Sequence, residues 1–230
     1  MSEPFGSLSL EHSSTVDRVA GELRRAVFDG ELESGTALRE KALADSLGVS
    51  RPTIREALTV LVAEGLATRE PIRGVSVTVP DPDSIHDVCT ARVVLEVAGV
   101  RSWPTATPEA RDALRSALAE FTAAAHDGAS YQVLNQRHLD FHLALVGLIG
   151  SPRLEAMATS LYAEIRLALA QVDRARQNAP DQAGSHTLLV RLLESGDVDA
   201  TVTELESHLA GAEVAILDRL HLDDERERRA

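Results

Sequence analysis

The chain has few of the residues and segments that mark secreted or membrane-embedded proteins. It contains one cysteine, Cys89, in 230 residues, so an internal disulfide framework is excluded. No apolar run is long enough to span a bilayer, and the N-terminus lacks the charged and then apolar segments of a signal peptide. Aromatic residues make up only 3% of the chain, whereas alanine, leucine, valine and charged residues are abundant, which favours helices. We therefore expect a largely helical, cytoplasmic protein.

Positive charge is also scarce. The formal net charge is −13, and its two parts differ: residues 1–80 carry 9 basic and 12 acidic residues (net −3), and residues 81–230 carry 14 and 24 (net −10). The length allows two modest domains, each with its own core. A nucleic-acid-binding site in such a chain must depend on a local cationic patch and not on the overall field.

The stretch Gly48–Leu66 has the pattern of a turn followed by a short amphipathic helix. It opens with glycine and then Ser50, which are typical of a tight turn and a helix N-cap. Arg51 and Arg55 are four residues apart, so both project from one face near the helix N-terminus, with Thr53 beside them. Such a face suits insertion into the major groove of DNA, although a solvated surface helix has the same pattern.

Two predicted helices precede this stretch and a hairpin follows it. The helices are expected from residue 13 or 14 to 29 and over 39–47. Alternating residues predict strands at 66–69 and 75–79, around a Pro/Gly tip that carries Arg73. Three helices and a two-stranded wing form a winged helix-turn-helix, whose third helix enters the major groove while the wing contacts the minor groove or backbone. The alternative is a small helical domain whose wing contacts protein.

This part of the chain resembles the DNA-binding domain of the GntR family of bacterial repressors. The resemblance covers residues 13–79, and it is carried by the run Leu38–Leu58, Leu61, Glu64–Leu66 and Arg73–Gly74. It implies that the residues contacting operator DNA are Lys41, Ser50, Arg51, Thr53, Arg55, Arg73 and Gly74. Two departures matter: Lys41 stands where the family often has another polar or basic side chain, and Pro52 stands where a contacting threonine can occur.

Beyond a Pro/Asp-rich break at residues 79–82, nearly every segment has helical character. Helices are expected at 83–103, 108–126, 131–149, 152–177, 183–195 and 198–220. No segment repeats with a period of 20 to 50 residues, so a bundle is expected and not a solenoid. The predicted fold is mainly α, a winged helix-turn-helix followed by an all-α bundle of six or seven helices. The expected divisions are a disordered tail (1–12), the DNA-binding domain (13–79), a linker (80–82), the helical domain (83–222) and a charged tail (223–230).

Four histidines of the helical domain could meet at one point. His138 and His142 are four apart on one predicted helix, and His186 and His208 lie on the last two helices. Imidazoles from three helices of a bundle could bind one divalent metal ion. The alternative is that each histidine is packed or solvated separately.

Residues 83–220 also resemble the helical effector domain of FadR-like GntR regulators, the FCD domain. The carrying segments are residues 91–96, 141–142, 150–154, 196–197 and 208–209, together with His186. The resemblance implies a metal site of one aspartate and three histidines, in which His138 takes the place of the aspartate. An all-histidine set should suit Zn²⁺ or Ni²⁺. It also implies that Arg92 lies by the effector pocket and could bind a carboxylate; an Arg92–Glu96 pair at helical spacing is the other interpretation.

Together the two resemblances imply a ligand-responsive transcription regulator without enzymatic activity. It would bind a pseudo-palindromic operator as a homodimer and take a small organic or sugar acid as effector, bridged by the metal. Two alternatives stay open: a metal-sensing regulator, or a metal-dependent hydrolase whose histidines activate water. The hydrolase has little support, because no glutamate stands beside the histidines in a hydrolase motif and no Ser/His/Asp set or Gly-rich phosphate loop occurs.

Overall fold

The computed structural model describes residues 14–227, with side chains as far as residue 220. This part of the chain contains nine α-helices and one two-stranded sheet. The N-terminal elements are α1 (Thr15–Asp29), α2 (Glu40–Leu47), α3 (Arg51–Ala63), β1 (Ala67–Glu70) and β2 (Gly74–Val77). The helical domain consists of α4 (Pro82–Ser102), α5 (Pro108–His126), α6 (Tyr131–Gly147), α7 (Pro152–Arg176), α8 (Ala179–Ser195) and α9 (Val198–Glu227).

Capping residues mark both ends of α1 and the start of α3. The Ser14 hydroxyl accepts the backbone N–H of Asp17 at 3.1 Å, and the Asp17 carboxylate accepts the backbone N–H of Ser14, which makes a capping box. Gly30 ends α1 with a φ of +79°, a conformation that favours glycine. Ser50 caps α3 by accepting the Thr53 N–H. The expected winged helix-turn-helix begins with α1, α2 and α3.

The wing completes this N-terminal unit, which we call the head (residues 14–77). β1 and β2 pair antiparallel, with Ala67 opposite Val77, and an isolated bridge from Ala37 to Ser76 adds a third line of pairing. The strands differ by a residue or two from the expected ranges. Buried α3 residues such as Leu58 form the head core with side chains of α1 and the wing. The three-helix head with a wing is therefore confirmed.

Six helices form the bundle, as predicted, with a short 3-10 turn between α4 and α5. α6 packs against α4, α5 and α7, while α9 packs against α4, α7 and α8. Two apolar cores fill the spaces between these helices. The head is not separate from the bundle, because Leu167 and Ala170 of α7 lie in the head core. No helix of the described residues is long and apolar enough to cross a membrane.

Three expected boundaries need correction. Pro82 is the first residue of α4 and not the end of a linker, because the Asp81 carboxylate caps the helix by accepting the Ser84 N–H. α8 begins at residue 179 and not at 183, because Pro180 is tolerated in a first helical turn. α9 continues to Glu227 through most of the expected charged tail. The expected disordered tail, residues 1–12, lies outside the described residues, as do residues 228–230.

Candidate metal centre and nucleic-acid interface

The two arginines at the start of α3 share one face, and Glu40 lies between them. The Arg55 guanidinium donates two hydrogen bonds to the Glu40 carboxylate, at 3.0 and 2.8 Å. Arg51 lies 3.6 Å from the same carboxylate. Both arginine side chains are more than half exposed, at 61% and 56%. The hydrogen bonds from Arg55 lower the pKa of Glu40, so a fixed negative charge holds the two cations together.

The other predicted DNA-contacting residues are spread over three elements. Lys41 is exposed on α2, and Arg73 is 84% exposed at the wing tip, beside Gly74 with its φ of +89°. The Ser50 and Thr53 hydroxyls lie 2.8 Å apart and hydrogen-bond to each other. Arg69, which the sequence pattern did not single out, is a further exposed cation on β1 beside Thr59.

The four predicted histidines meet inside the bundle. The Nε2 atoms of His138 and His142 are 3.2 Å apart, and those of His186 and His208 are 3.1 Å apart. One ligand atom from each of the four lies within 4.8 Å of the others, so the group could hold a metal ion. Nitrogens bound to one tetrahedral zinc ion lie about 3.4 Å apart, because each is about 2 Å from the ion. The donor set therefore fits a transition metal, and we call these four residues the histidine cluster.

Burial disfavours the charged form of three histidines of the cluster. Burial lowers the pKa of His142 and of His186 well below the ordinary value for histidine, and it lowers the pKa of His208 to about 4. Neighbouring charges add to the effect, since Arg92 and the other imidazoles disfavour a further cation. A neutral imidazole has a free lone pair on one nitrogen, which is the form that binds metals.

Glu96 of α4 orients one of the ligands. It is fully buried, and its carboxylate accepts hydrogen bonds from His142 Nδ1 at 2.7 Å, Arg92 Nε at 3.0 Å and the Tyr162 hydroxyl at 2.9 Å. An Nδ1–H bond to a carboxylate leaves the Nε2 lone pair of His142 pointing into the cluster. Two rings also support the cluster: Phe121 stacks on His138, and Phe141 packs on His186. The sequence pattern did not predict these roles.

A polar cavity of about 230 Å³ opens next to the histidine cluster. His138 and His208 form part of its wall, and the end of α7, the start of α8 and α9 supply the rest. Its polar lining consists of Asp173, Arg176, Asn178, Asp181, Gln182 and Ser185. A small molecule in this cavity would therefore contact the cluster on one side and hydrogen-bonding groups on the other.

Comparison with known proteins identifies the family. The model of "Bacterial regulatory proteins, gntR family" matches residues 15–77, and the model of the FCD domain matches residues 87–211. The chain belongs to the GntR family and carries an FCD domain. A GntR transcriptional regulator from Rhodococcus sp. RHA1 has a similar structure, with 30% identity, a TM-score of 0.71, and coverage of 90% of this chain and 99% of that chain.

Two curated relatives match the chain over shorter segments. The HTH-type regulator YdhC of Bacillus subtilis is 30% identical over 126 residues, which are 54% of this chain and 56% of the relative. The gluconate operon transcriptional repressor of Bacillus licheniformis is 39% identical over 87 residues, which are 38% of this chain and 35% of the relative. The chain thus matches little more than half of the first and about a third of the second. Both are named as regulators of transcription.

Arg92 of the FCD domain is buried beside Glu96. Arg92 is 2% exposed, donates to Glu96 and lies over the Tyr162 ring, 5.3 Å from its centroid. It does not line the cavity beside the cluster, whose arginine is Arg176. The helical Arg92–Glu96 pair is therefore present, and contact between Arg92 and an effector stays a prediction. Asp140, two residues after His138, accepts a hydrogen bond from Gln136 at 2.8 Å and lies 3.3 Å from Arg137; it is not part of the histidine cluster.

Proposed function

We propose that this GntR regulator acts in the cytoplasm as a homodimer that binds a pseudo-palindromic operator and responds to a ligand in its FCD domain. In each head, α3 would enter the major groove and the wing would contact the adjacent groove. The exposed cations Arg51, Arg55 and Arg73 support this assignment, with Lys41, Ser50, Thr53 and Gly74 as further contacts. A dimer is supported by Val94 and Val214, which are exposed apolar side chains on the packed pair α4 and α9.

The FCD domain is proposed to bind Zn²⁺ or Ni²⁺ at His138, His142, His186 and His208. The observation that carries this proposal is the meeting of four imidazoles beside a polar cavity. The effector would be a small organic or sugar acid. Arg176 can pair with its carboxylate, and the amide, hydroxyl and carboxylate groups of the lining can bond its hydroxyls. One relative is a repressor of a gluconate operon, and gluconate is a sugar acid.

A metal-sensing regulator is the second candidate, and the number of histidines favours it. Four protein ligands complete a tetrahedral zinc site, which leaves no position for an effector oxygen. An effector bridged by the metal would need an ion with five or six ligands, such as Ni²⁺. Operator affinity measured with chelator, with each metal, and with each metal plus gluconate separates the two candidates. Glucose is the uncharged control for gluconate.

The DNA-binding proposal is tested by replacing Arg51 and Arg55 with alanine. Since each arginine can bond a base or phosphate, the double variant should lose at least about a hundredfold in operator affinity while remaining a dimer by light scattering. A matched control replaces Arg153 and Arg191, two exposed arginines of the bundle, with alanine. Unchanged operator affinity in the Arg51/Arg55 variant would contradict the assignment.

Elemental analysis of protein that was never exposed to chelator tests the metal proposal. We expect about one transition-metal ion per chain, and its loss in His142→Ala. His126→Ala is the control, because His126 is an exposed histidine outside the cluster. A metal content near zero in the unaltered protein would overturn the proposed centre.

A further inference from the structure

The last turns of α7 belong to both parts of the molecule. On one side of the helix, Leu167 and Ala170 lie in the head core. On another side, Leu169 and Val172 lie in a core of the bundle. A displacement of this segment relative to the bundle must therefore change its packing in the head, because both cores are closely packed.

Two polar side chains of the same turns bind the head directly. Gln171 donates to the Ser34 hydroxyl at 2.6 Å. Arg174 donates from Nη1 to the carbonyl oxygen of Phe28 at 3.1 Å, one of the carbonyls at the C-terminal end of α1. A cation is favourable there, because the helix dipole places partial negative charge at that end. Gly30 makes room for it, since a Cβ at this position would be 2.5 Å from the Arg174 guanidinium carbon.

The residue before Arg174 faces the histidine cluster. Asp173 lines the cavity, and its Oδ1 accepts a hydrogen bond from Gln182 of α8 at 2.9 Å. Its Oδ2 lies 3.9 Å from Nδ1 of His138, which is buried and has no hydrogen-bond partner among the described residues. This distance is too long for a hydrogen bond but leaves only about 1 Å to close.

We infer that Asp173 positions His138 for metal binding and that the adjoining Arg174 carries the resulting displacement of α7 to the head. This inference rests on the proposed metal centre. An imidazole that binds a metal through Nε2 has its proton on Nδ1 and is held by an acceptor there, usually a carboxylate. For His138 the nearest carboxylate is that of Asp173. Closing that gap draws the end of α7 toward the bundle and pulls Arg174 away from the carbonyl of Phe28.

The first test measures amide hydrogen exchange of the full chain, with chelator and with one equivalent of Zn²⁺. In the unaltered protein, zinc should speed exchange in the last turn of α1 by about threefold or more, because the contact from Arg174 weakens. Arg174→Gln should bind zinc normally and show no zinc-dependent change in α1. Arg153→Gln makes the same substitution at the other end of α7 and should behave as the unaltered protein.

Two further variants separate the steps. Asp173→Asn should weaken zinc binding by about tenfold or more, because His138 loses its carboxylate acceptor. Gly30→Ala should reproduce the exchange behaviour of Arg174→Gln, since the new methyl group displaces the guanidinium. Gly196→Ala is its control, because Gly196 has a similar φ of +83° but open space around it.

The outcomes distinguish this inference from the proposed function. Zinc that binds the unaltered protein and leaves exchange in α1 unchanged would overturn the inference alone. The same holds if Arg174→Gln responds to zinc as the unaltered protein does. Failure of the unaltered protein to bind zinc or nickel would overturn the proposed centre, and the inference with it.

Discussion

At the scale of single residues, Glu40 is an acidic side chain placed where a DNA-binding surface needs positive charge. Its carboxylate takes two hydrogen bonds from Arg55 and lies 3.6 Å from Arg51. While this contact is intact, part of the positive charge of the α3 face is neutralised. On a chain with a net charge of −13, Glu40 further lowers attraction to DNA of arbitrary sequence.

We therefore predict that Glu40→Gln increases the affinity for a random-sequence duplex by about fivefold. The slope of log affinity against log salt concentration should become steeper by about one, which corresponds to about one more ion released on binding. The substitution removes a negative charge near the phosphates and frees Arg55 to bind one of them. Titrations at several salt concentrations measure both quantities. Glu22→Gln is the matched control, because Glu22 pairs in the same way with Arg25 on α1. An unchanged salt dependence for Glu40→Gln would contradict the prediction.

Glu96 is the second residue whose environment gives a sharp prediction. It joins a metal-ligand candidate, His142, to the buried cation Arg92. Glu96→Gln should weaken zinc binding by about 10- to 100-fold, because His142 loses the carboxylate that orients it. It should also destabilise the fold by about 3 kcal/mol, because Arg92 loses its counter-ion. Competition with a coloured chelator and urea unfolding measure the two effects.

Tyr162→Phe is the control for that prediction. It removes one hydrogen bond to Glu96 and leaves the bonds from Arg92 and His142. We expect a loss of about 1 kcal/mol in stability and unchanged zinc affinity. Equal losses of zinc affinity in Glu96→Gln and Tyr162→Phe would show that Glu96 acts through packing and not through His142.

The histidine cluster could be predicted from the sequence, but the residues that orient it could not. His138 and His142 are one helical turn apart, so their common direction follows from helix geometry alone. Glu96 lies 46 residues before His142, and its contact depends on how α4 packs against α6. The contacts of Asp173 with the cavity and of Arg174 with the head likewise depend on the position of α7 between two cores. Neither packing arrangement leaves a local pattern.

At the scale of elements, the close approach of α4 and α6 brings Glu96 to His142. Gly99 lies one turn after Glu96, and a Cβ there would be 2.0 Å from the backbone oxygen of Leu145 in α6. Backbone atoms cannot move aside as a flexible side chain can. The two helices pack this tightly because position 99 has no side chain.

Gly99→Ala should therefore separate α4 from α6 and destabilise the protein by about 2 kcal/mol or more, even though alanine favours helices. Zinc affinity should fall with it, since Glu96 moves away from His142. Gly184→Ala in α8 is the matched control: nothing lies within 4 Å of its added methyl group, so a gain of about 0.5 to 1 kcal/mol is expected. Thermal unfolding of both variants measures these changes in stability. A neutral effect of Gly99→Ala would contradict the close packing.

The starts and ends of the helices show which features of the local sequence are enough to predict a helix boundary. Helix starts marked by a serine or by Ser-Pro agreed with the structure, as for α1, α3 and α7. The expected start of α8, residue 183, lies four residues too late, because Pro180 suggests a break although proline is compatible with a first helical turn. The length of α9 was underestimated because its charged end has no apolar periodicity.

At the scale of the whole molecule, the head and the bundle are joined by more than a linker. Besides the apolar contacts of α7 in the head core, Arg166 donates to the backbone oxygen of Glu64 at the end of α3. The Glu64 carboxylate in turn accepts two hydrogen bonds from Arg24 of α1. The end of α3, the proposed DNA-reading helix, is therefore tied to the same helix, α7, that borders the cavity beside the histidine cluster. The head and the bundle should therefore unfold together.

This connection predicts how metal removal affects unfolding. A ligand present at 100 times its dissociation constant stabilises the folded state by about 2.7 kcal/mol. For a chain of this size, that raises the unfolding midpoint by roughly 5 to 10 °C. Because α7 is shared by both cores, we expect calorimetry to show a single unfolding transition. Its midpoint temperature should rise on addition of Zn²⁺ and return to the original value when chelator is added. His142→Ala should show no shift, and His126→Ala should keep it. Two transitions, of which only one responds to zinc, would show that the head unfolds independently and that the contacts of α7 do not couple it to the histidine cluster.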